Sequence, residues 1–80
     1  MNTVFNLYSS EGCHLCELAL EICQPLMGNI QLYIIDIVED EALVERYGVH
    51  IPVLECVDEH NNKKELFWPF NEDQVSKLLK

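Results

Sequence analysis

Basic residues are scarce in this chain. Five lysines and arginines stand against fourteen aspartates and glutamates, for a formal net charge of −9. Affinity for nucleic acid rests on neutralising phosphates, and Arg46, Lys63 and Lys64 have no aromatic cluster beside them to stack bases. No nucleic-acid partner is therefore expected. Apolar runs of membrane-spanning length are missing, and no basic segment followed by a long apolar one opens the chain. Neither a membrane association nor a signal peptide is expected, which makes the cytoplasm the expected location. Linkers, internal repeats and low-complexity stretches are also missing, so residues 1–80 should form one domain. Finally, there is no second cysteine pair at finger-like spacing, so no complete zinc site is expected from one chain.

What remains is ample for a small core. Apolar residues make up 49% of the sequence, enough for one hydrophobic core without metal or disulfide staples. An acidic surface suits a soluble protein. Four cysteines in a reducing compartment point to catalysis or metal binding rather than to a disulfide framework.

The hydrophobic periodicity gives the element order β-α-β-α-β-β-α. Thr3–Tyr8 is β-rich and too short for a buried helix. Ser9–Gly12 is a loop, and a helix follows from about Cys13 to Gln24. On it Cys16, Ala19, Leu20, Cys23 and Leu26 form an apolar face, opposite a wet stripe of His14, Glu17, Glu21 and Gln24. Pro25 and Gly28 should end it. Ile30–Ile37 reads as a strand apolar on both faces, as in a sheet covered on both sides. Asp40 can cap a short helix through Tyr47, stopped by Gly48. Val53–Val57 and Glu65–Trp68 should pair as a hairpin across the polar turn Asp58–Lys64. Asn71 and Gln74 have capping-box spacing before a last helix carrying Val75, Leu78 and Leu79. The first β-α-β unit should cross over right-handed and make its strands parallel.

The chemistry is expected at Tyr8–Cys16, where a strand, a short loop and a helix mouth present Cys13 and Cys16. A thiolate is the nucleophile, and unpaired N–H groups and the dipole at a helix N-terminus favour that anion. Cys13 would be the exposed attacking sulfur. Cys16, one turn deeper, would close a disulfide with it. His14, if protonated, would favour the Cys13 thiolate; a solvated residue without a role is the competing reading. Cys23 and Cys56 read as buried small hydrophobes.

Several motifs together resemble the thioredoxin fold, and at this length the glutaredoxins, above all the short bacterial glutaredoxin-like proteins. They are Leu7-Tyr8, Gly12-Cys13-His14-Leu15-Cys16, Ile51-Pro52-Val53 and Trp68-Pro69-Phe70. The resemblance implies an α/β fold with a mixed four-stranded sheet and helices on both faces. It also implies a cis Pro52 beside the dithiol, where the Ile51 backbone meets an extended chain or glutathione, with Leu15 and His50 on the rim. The departures concern glutathione. Ser10 stands where glutaredoxins carry a lysine for its carboxylate, and Trp68-Pro69-Phe70 replaces their Gly-Gly. Glu72 and Asp73 remain as partners for its amino group, and Trp68 and Phe70 are read as packing residues.

The expectation is a thiol–disulfide oxidoreductase acting on disulfide-containing proteins or small thiols. It needs an external reductant, works as a monomer and has no bound cofactor or metal. Glutathione enters as a co-substrate at most, held weakly. Two alternatives stay open. One is a metal or iron–sulfur module using Cys13, Cys16, His50 and a dimer partner. The other is a non-enzymatic interaction domain.

Overall fold

The computed structural model describes residues 3–79. β1 (Val4–Ser9) leads into α1 (His14–Met27), and β2 (Gln31–Asp36) follows. A single 3-10 turn, Ile37–Glu39, joins β2 to α2 (Glu41–Tyr47). β3 (Val53–Val57), β4 (Lys63–Phe67) and α3 (Glu72–Leu78) complete the chain. The sheet order is β2-β1-β3-β4. β1 runs parallel to β2 and antiparallel to β3, and β4 returns antiparallel to β3.

Alternation along the strands sorts side chains into two cores. Phe5 and Leu7 of β1 and Leu54 and Cys56 of β3 face α1 and α3, where Ala19, Cys23, Met27 and Val75 meet them. Removing a side chain such as Phe5 or Leu54 from water contributes roughly 1.5–3 kcal/mol. Tyr8 and Val53 face the other way, onto Ile37 and Tyr47 beneath α2. Phe70 is buried in the first cluster, with Trp68 packed against it edge to face at 5.2 Å.

Three boundaries differ from the sequence expectation. α1 does not stop at Gln24 but carries Pro25 inside it and runs to Met27. Pro25 is exposed, so the Glu21 carbonyl it leaves unbonded faces water, while Met27 is buried in the core and Leu26 packs against it. Packing of that last turn outweighs the missing hydrogen bond. Gly28 then ends the helix at φ 57°. Next, β2 is covered on both faces only in part: it lies at the sheet edge, where Leu32 packs on the first core and Ile35 on the second but Tyr33 and Ile34 are 50% and 56% exposed. Its apolar run reflects which side of the sheet it ends up on, which no local pattern reports. Lastly, the hairpin turn is shorter than expected. Lys63 already pairs with Val57, because Asp58 Oδ1 accepts the N–H of His60 and of Asn62 and folds the loop tightly.

The caps hold as read. Asp40 accepts the Ala42 N–H at 2.9 Å, and Asn71 and Gln74 form a reciprocal capping box.

Candidate redox site

The site is built at the end of the sheet where β1 finishes. Gly12 takes φ 78°, a left-handed conformation that L side chains rarely adopt, and turns the loop into α1. Cys13 is the N-cap, extended at φ −82° and ψ 102°. Its Sγ accepts the backbone N–H of Cys16 at 3.1 Å. A sulfur thus takes the place that a serine or aspartate oxygen usually fills, and meets one of the unpaired N–H groups of the helix mouth. Cys13 and Cys16 are joined as a disulfide with their Cα atoms 5.2 Å apart. Cys16 is buried and Cys13 half-buried, so attack from outside reaches Cys13 first.

The other two thiols sit apart from this chemistry. Burial pushes Cys23 up to about 11. Burial also raises Cys56, against a smaller opposing effect of Lys64 across the hairpin. Neither supplies a thiolate at neutral pH.

Register places the remaining sequence-predicted residues. Val53 pairs with Tyr8 on one side and Phe67 on the other, so Ile51 and Pro52 lie at the dithiol end of the sheet. The Ile51–Pro52 and Trp68–Pro69 peptide bonds are both cis. The Pro52 carbonyl accepts the Trp68 N–H at 3.2 Å, tying the two segments together. The Ile51 N–H is turned inward onto the Tyr47 carbonyl at 3.1 Å, so it is already engaged within the chain. Leu15 is exposed in the first turn of α1, between the two cysteines. His14 is exposed and its Nδ1 lies 3.5 Å from Glu17, a pairing the sequence reading did not foresee. His50 is exposed too, and its ring meets Phe67 edge-on at 5.5 Å. Among the described residues no group of three or more His, Cys, Asp or Glu side chains converges as a metal site, so Cys13, Cys16 and His50 do not form one within the chain.

A polar cluster behind the site was missed. Glu55, 5% exposed, accepts hydrogen bonds from Asn6 Nδ2 and Tyr8 OH, both at 2.9 Å. Glu65, directly across the hairpin, accepts from Tyr47 OH, and Arg46 lies 3.7 Å from its other oxygen. The Tyr8 and Tyr47 rings stack at 4.5 Å. A carboxylate inside the apolar stretch Val53–Val57 was the available signal. It shares a strand face with Val53, opposite Leu54 and Cys56.

A hollow of about 430 Å³, lined by Val4, Asn29 and Gln31 among others, lies at the far end of β1 from the dithiol. Beside the dithiol lies a smaller one, of about 130 Å³, between α1 and β2. Among the described residues no helix is long and apolar enough to cross a membrane.

Mixed sheet, three helices and a dithiol at the mouth of α1 together define a thioredoxin-fold protein. Residues 5–80 match the family described as Glutaredoxin-like domain (DUF836), and the chain belongs to it. Solved structures of two proteins are similar in sequence as well as in fold. Protein XcR50 from X. campestris is 32% identical, with 95% of each chain covered and a TM-score of 0.76. Protein Ne2328 from Nitrosomonas europaea is 30% identical, covering 96% of this chain and 91% of that one, with a TM-score of 0.77. A mutant thioredoxin from Halobacterium salinarum is similar in fold, at 22% identity and a TM-score of 0.76 over 96% of this chain and 71% of that one. No curated protein matches the chain.

Proposed function

We propose that the protein is a thiol–disulfide oxidoreductase of a reducing, cytoplasmic compartment, with Cys13 as nucleophile and Cys16 as resolving thiol. The observation that carries this reading is the Cys13 sulfur at the N-cap of α1, accepting the Cys16 N–H within disulfide reach of Cys16. The Cys13 thiolate attacks one sulfur of a substrate disulfide. The substrate S–S bond breaks, a Cys13–substrate disulfide forms, and the other substrate sulfur leaves as a thiolate that takes up a proton. Cys16, losing its proton, then attacks Cys13 Sγ and expels the second substrate sulfur. Two electrons and two protons pass to the substrate, and the Cys13–Cys16 disulfide remains. An external dithiol, or two monothiols such as glutathione, returns the electrons.

Specificity for glutathione is expected to be weak. The described cations are Arg46, Lys63, Lys64 and Lys77, on α2, β4 and α3, so none stands in the loop before Cys13. Glu11 and Glu17 flank that loop instead, and an anionic tripeptide meets like charge there.

The test is an equilibrium titration in glutathione redox buffers, read by intact mass after acid quenching. Loss of two hydrogens without a glutathione adduct is expected. A persistent adduct on Cys13 would make glutathione a true co-substrate, and neither species over the whole range would refute the oxidoreductase reading.

A further inference from the structure

The dithiol has two flanks. Toward β3 and β4 lie Pro52 and Phe67, and there the Ile51 N–H is already engaged. Toward β2 the surface is a groove. The hollow of about 130 Å³ beside Cys13 and Cys16 has Leu20 and Ile34 among its walls. A second hollow, of about 240 Å³, continues from the same two side chains to Met27 and Gly28. On the helix side the groove follows Cys13, Cys16, Glu17, Leu20, Gln24 and Met27, spaced by three and four and so on one side of α1. On the other side stand Leu32 and Ile34 of β2, the edge strand, whose outer side no strand of the sheet covers. From Cys13 to Gly28 it spans about 20 Å at 1.5 Å per residue, the length of about six extended residues.

The charge around this groove has one sign. Glu11, Glu17, Glu21 and Asp36 lie along the β1–α1 loop, α1 and β2, and no lysine or arginine does. Asp36 pairs in register with Ser9, which puts it at the dithiol end. An apolar floor of Leu20, Leu32 and Ile34 with an acidic rim complements an occupant that is apolar at its centre and basic at its flanks.

We propose that this groove docks an extended segment of a partner protein that carries the reacting disulfide, with an apolar residue next to its cysteine and lysines or arginines on either side. The groove is too long for a small thiol to fill, and its rim repels acidic peptides. The inference rests on the oxidoreductase reading and names the substrate class of that site.

The experiment compares two synthetic peptide disulfides of equal length, each with Leu beside Cys, one flanked by lysines and one by glutamates. Reduction of 2-hydroxyethyl disulfide is followed alongside as a charge-free reference. At low salt the lysine-flanked peptide should be preferred in kcat/KM by about tenfold, the effect of a few exposed ion pairs, and the preference should shrink at high salt. Ile34→Lys, at an exposed position, should reduce the preference at least fivefold, and Gln24→Lys, at an exposed helix position, should lower it in the same direction. Phe67→Lys on the opposite flank should reduce it less than Ile34→Lys does. No preference in the parent protein, or a larger loss on Phe67→Lys than on Ile34→Lys, overturns the proposal. If neither peptide nor 2-hydroxyethyl disulfide is reduced, the oxidoreductase reading fails by itself. Docking is then read from backbone amide shifts on titrating a serine analogue of the lysine-flanked peptide. Shifts clustered on Leu20, Leu32 and Ile34 sustain the groove; shifts elsewhere, or none, overturn it.

Discussion

Raising the pH should destabilise this protein through its stacked tyrosines. Burial, the hydrogen bond to Glu65 and the charge of Glu65 push Tyr47 from its ordinary 10.0 up to about 12. Tyr8 is raised as well, first by burial and then by its hydrogen bond to Glu55. The sign follows from proton counting. Between pH 10 and about 12 the unfolded chain has lost the Tyr47 proton and the folded chain has kept it, so stability falls as pH rises. The contribution is complete below pH 10 and gone above the folded value. For Tyr47 it corresponds to about 2–3 kcal/mol. That is a large share of the 5–15 kcal/mol typical of a folded domain. Urea midpoints at intervals from pH 8.5 to 11.5 measure it. The parent protein should lose stability steadily above pH 10, and Tyr47→Phe, less stable at pH 8, should show a shallower decline. A flat profile in the parent, or an unchanged slope in Tyr47→Phe, would refute the reasoning and leave the Tyr–carboxylate pairs as bystanders.

Replacing Glu55 by Ala leaves Asn6 and Tyr8 with unmet donors and should cost about 1–3 kcal/mol in urea unfolding at pH 7; a loss below half of that would show that water replaces the carboxylate. Gly12→Ala forces a side chain into a left-handed conformation and should cost about 1–2 kcal/mol, with no change expected only if the loop rearranges. Phe70→Ala empties a buried site in the first core cluster and should cost about 3–5 kcal/mol, read from the same denaturation curves. Cys16→Ser should still attack disulfides but stop at the mixed disulfide, visible as a stable adduct by intact mass, whereas Cys13→Ser should form no adduct at all.

Much of this architecture is legible in the chain because short-range rules decide it. Asp40 and Asn71 mark helix starts through their own side chains, and the alternation of Phe5, Leu7, Leu54 and Cys56 states which face is core. The Cys13–Cys16 spacing after a strand is similarly local, as is the burial of Cys23 on the Cys16 face. What was not legible depends on neighbours distant in sequence. Pro25 reads as a stop until Met27 and Leu26 are seen packed beyond it. The β2 run reads as doubly buried until the strand order puts it at the edge. Glu55 carries no signal beyond its place on a strand until Asn6, in register opposite it, and Tyr8 are seen to supply donors. The groove belongs to neither α1 nor β2 alone, only to their juxtaposition.

Charge placement ties these observations to the chemistry. Lys63 pairs with Val57, which pairs with Val4, so the β4 lysines begin the hairpin at the end of the sheet remote from Ser9 and Cys13. Arg46 is spent on Glu65 and on the Tyr47 ring, 5.4 Å from its centroid, and Lys77 lies against Asp73. The dithiol end is left with Glu11, Glu17 and Asp36, whose carboxylates repel anions over a long range. The Cys13 sulfur itself meets short-range groups, the Cys16 N–H at 3.1 Å and the helix mouth behind it, which would favour a thiolate once the disulfide is reduced. The two influences differ in reach. Salt of about 0.15 M screens exposed charges beyond about 8 Å but leaves a backbone hydrogen bond in place. In the proposed reaction the helix mouth would favour the Cys13 nucleophile while the acidic surroundings would select who approaches. If the proposed activity holds, the acids that would disfavour glutathione at this end would favour a basic chain, so the proposed weak glutathione binding and the proposed basic protein substrate would both follow from one charge distribution.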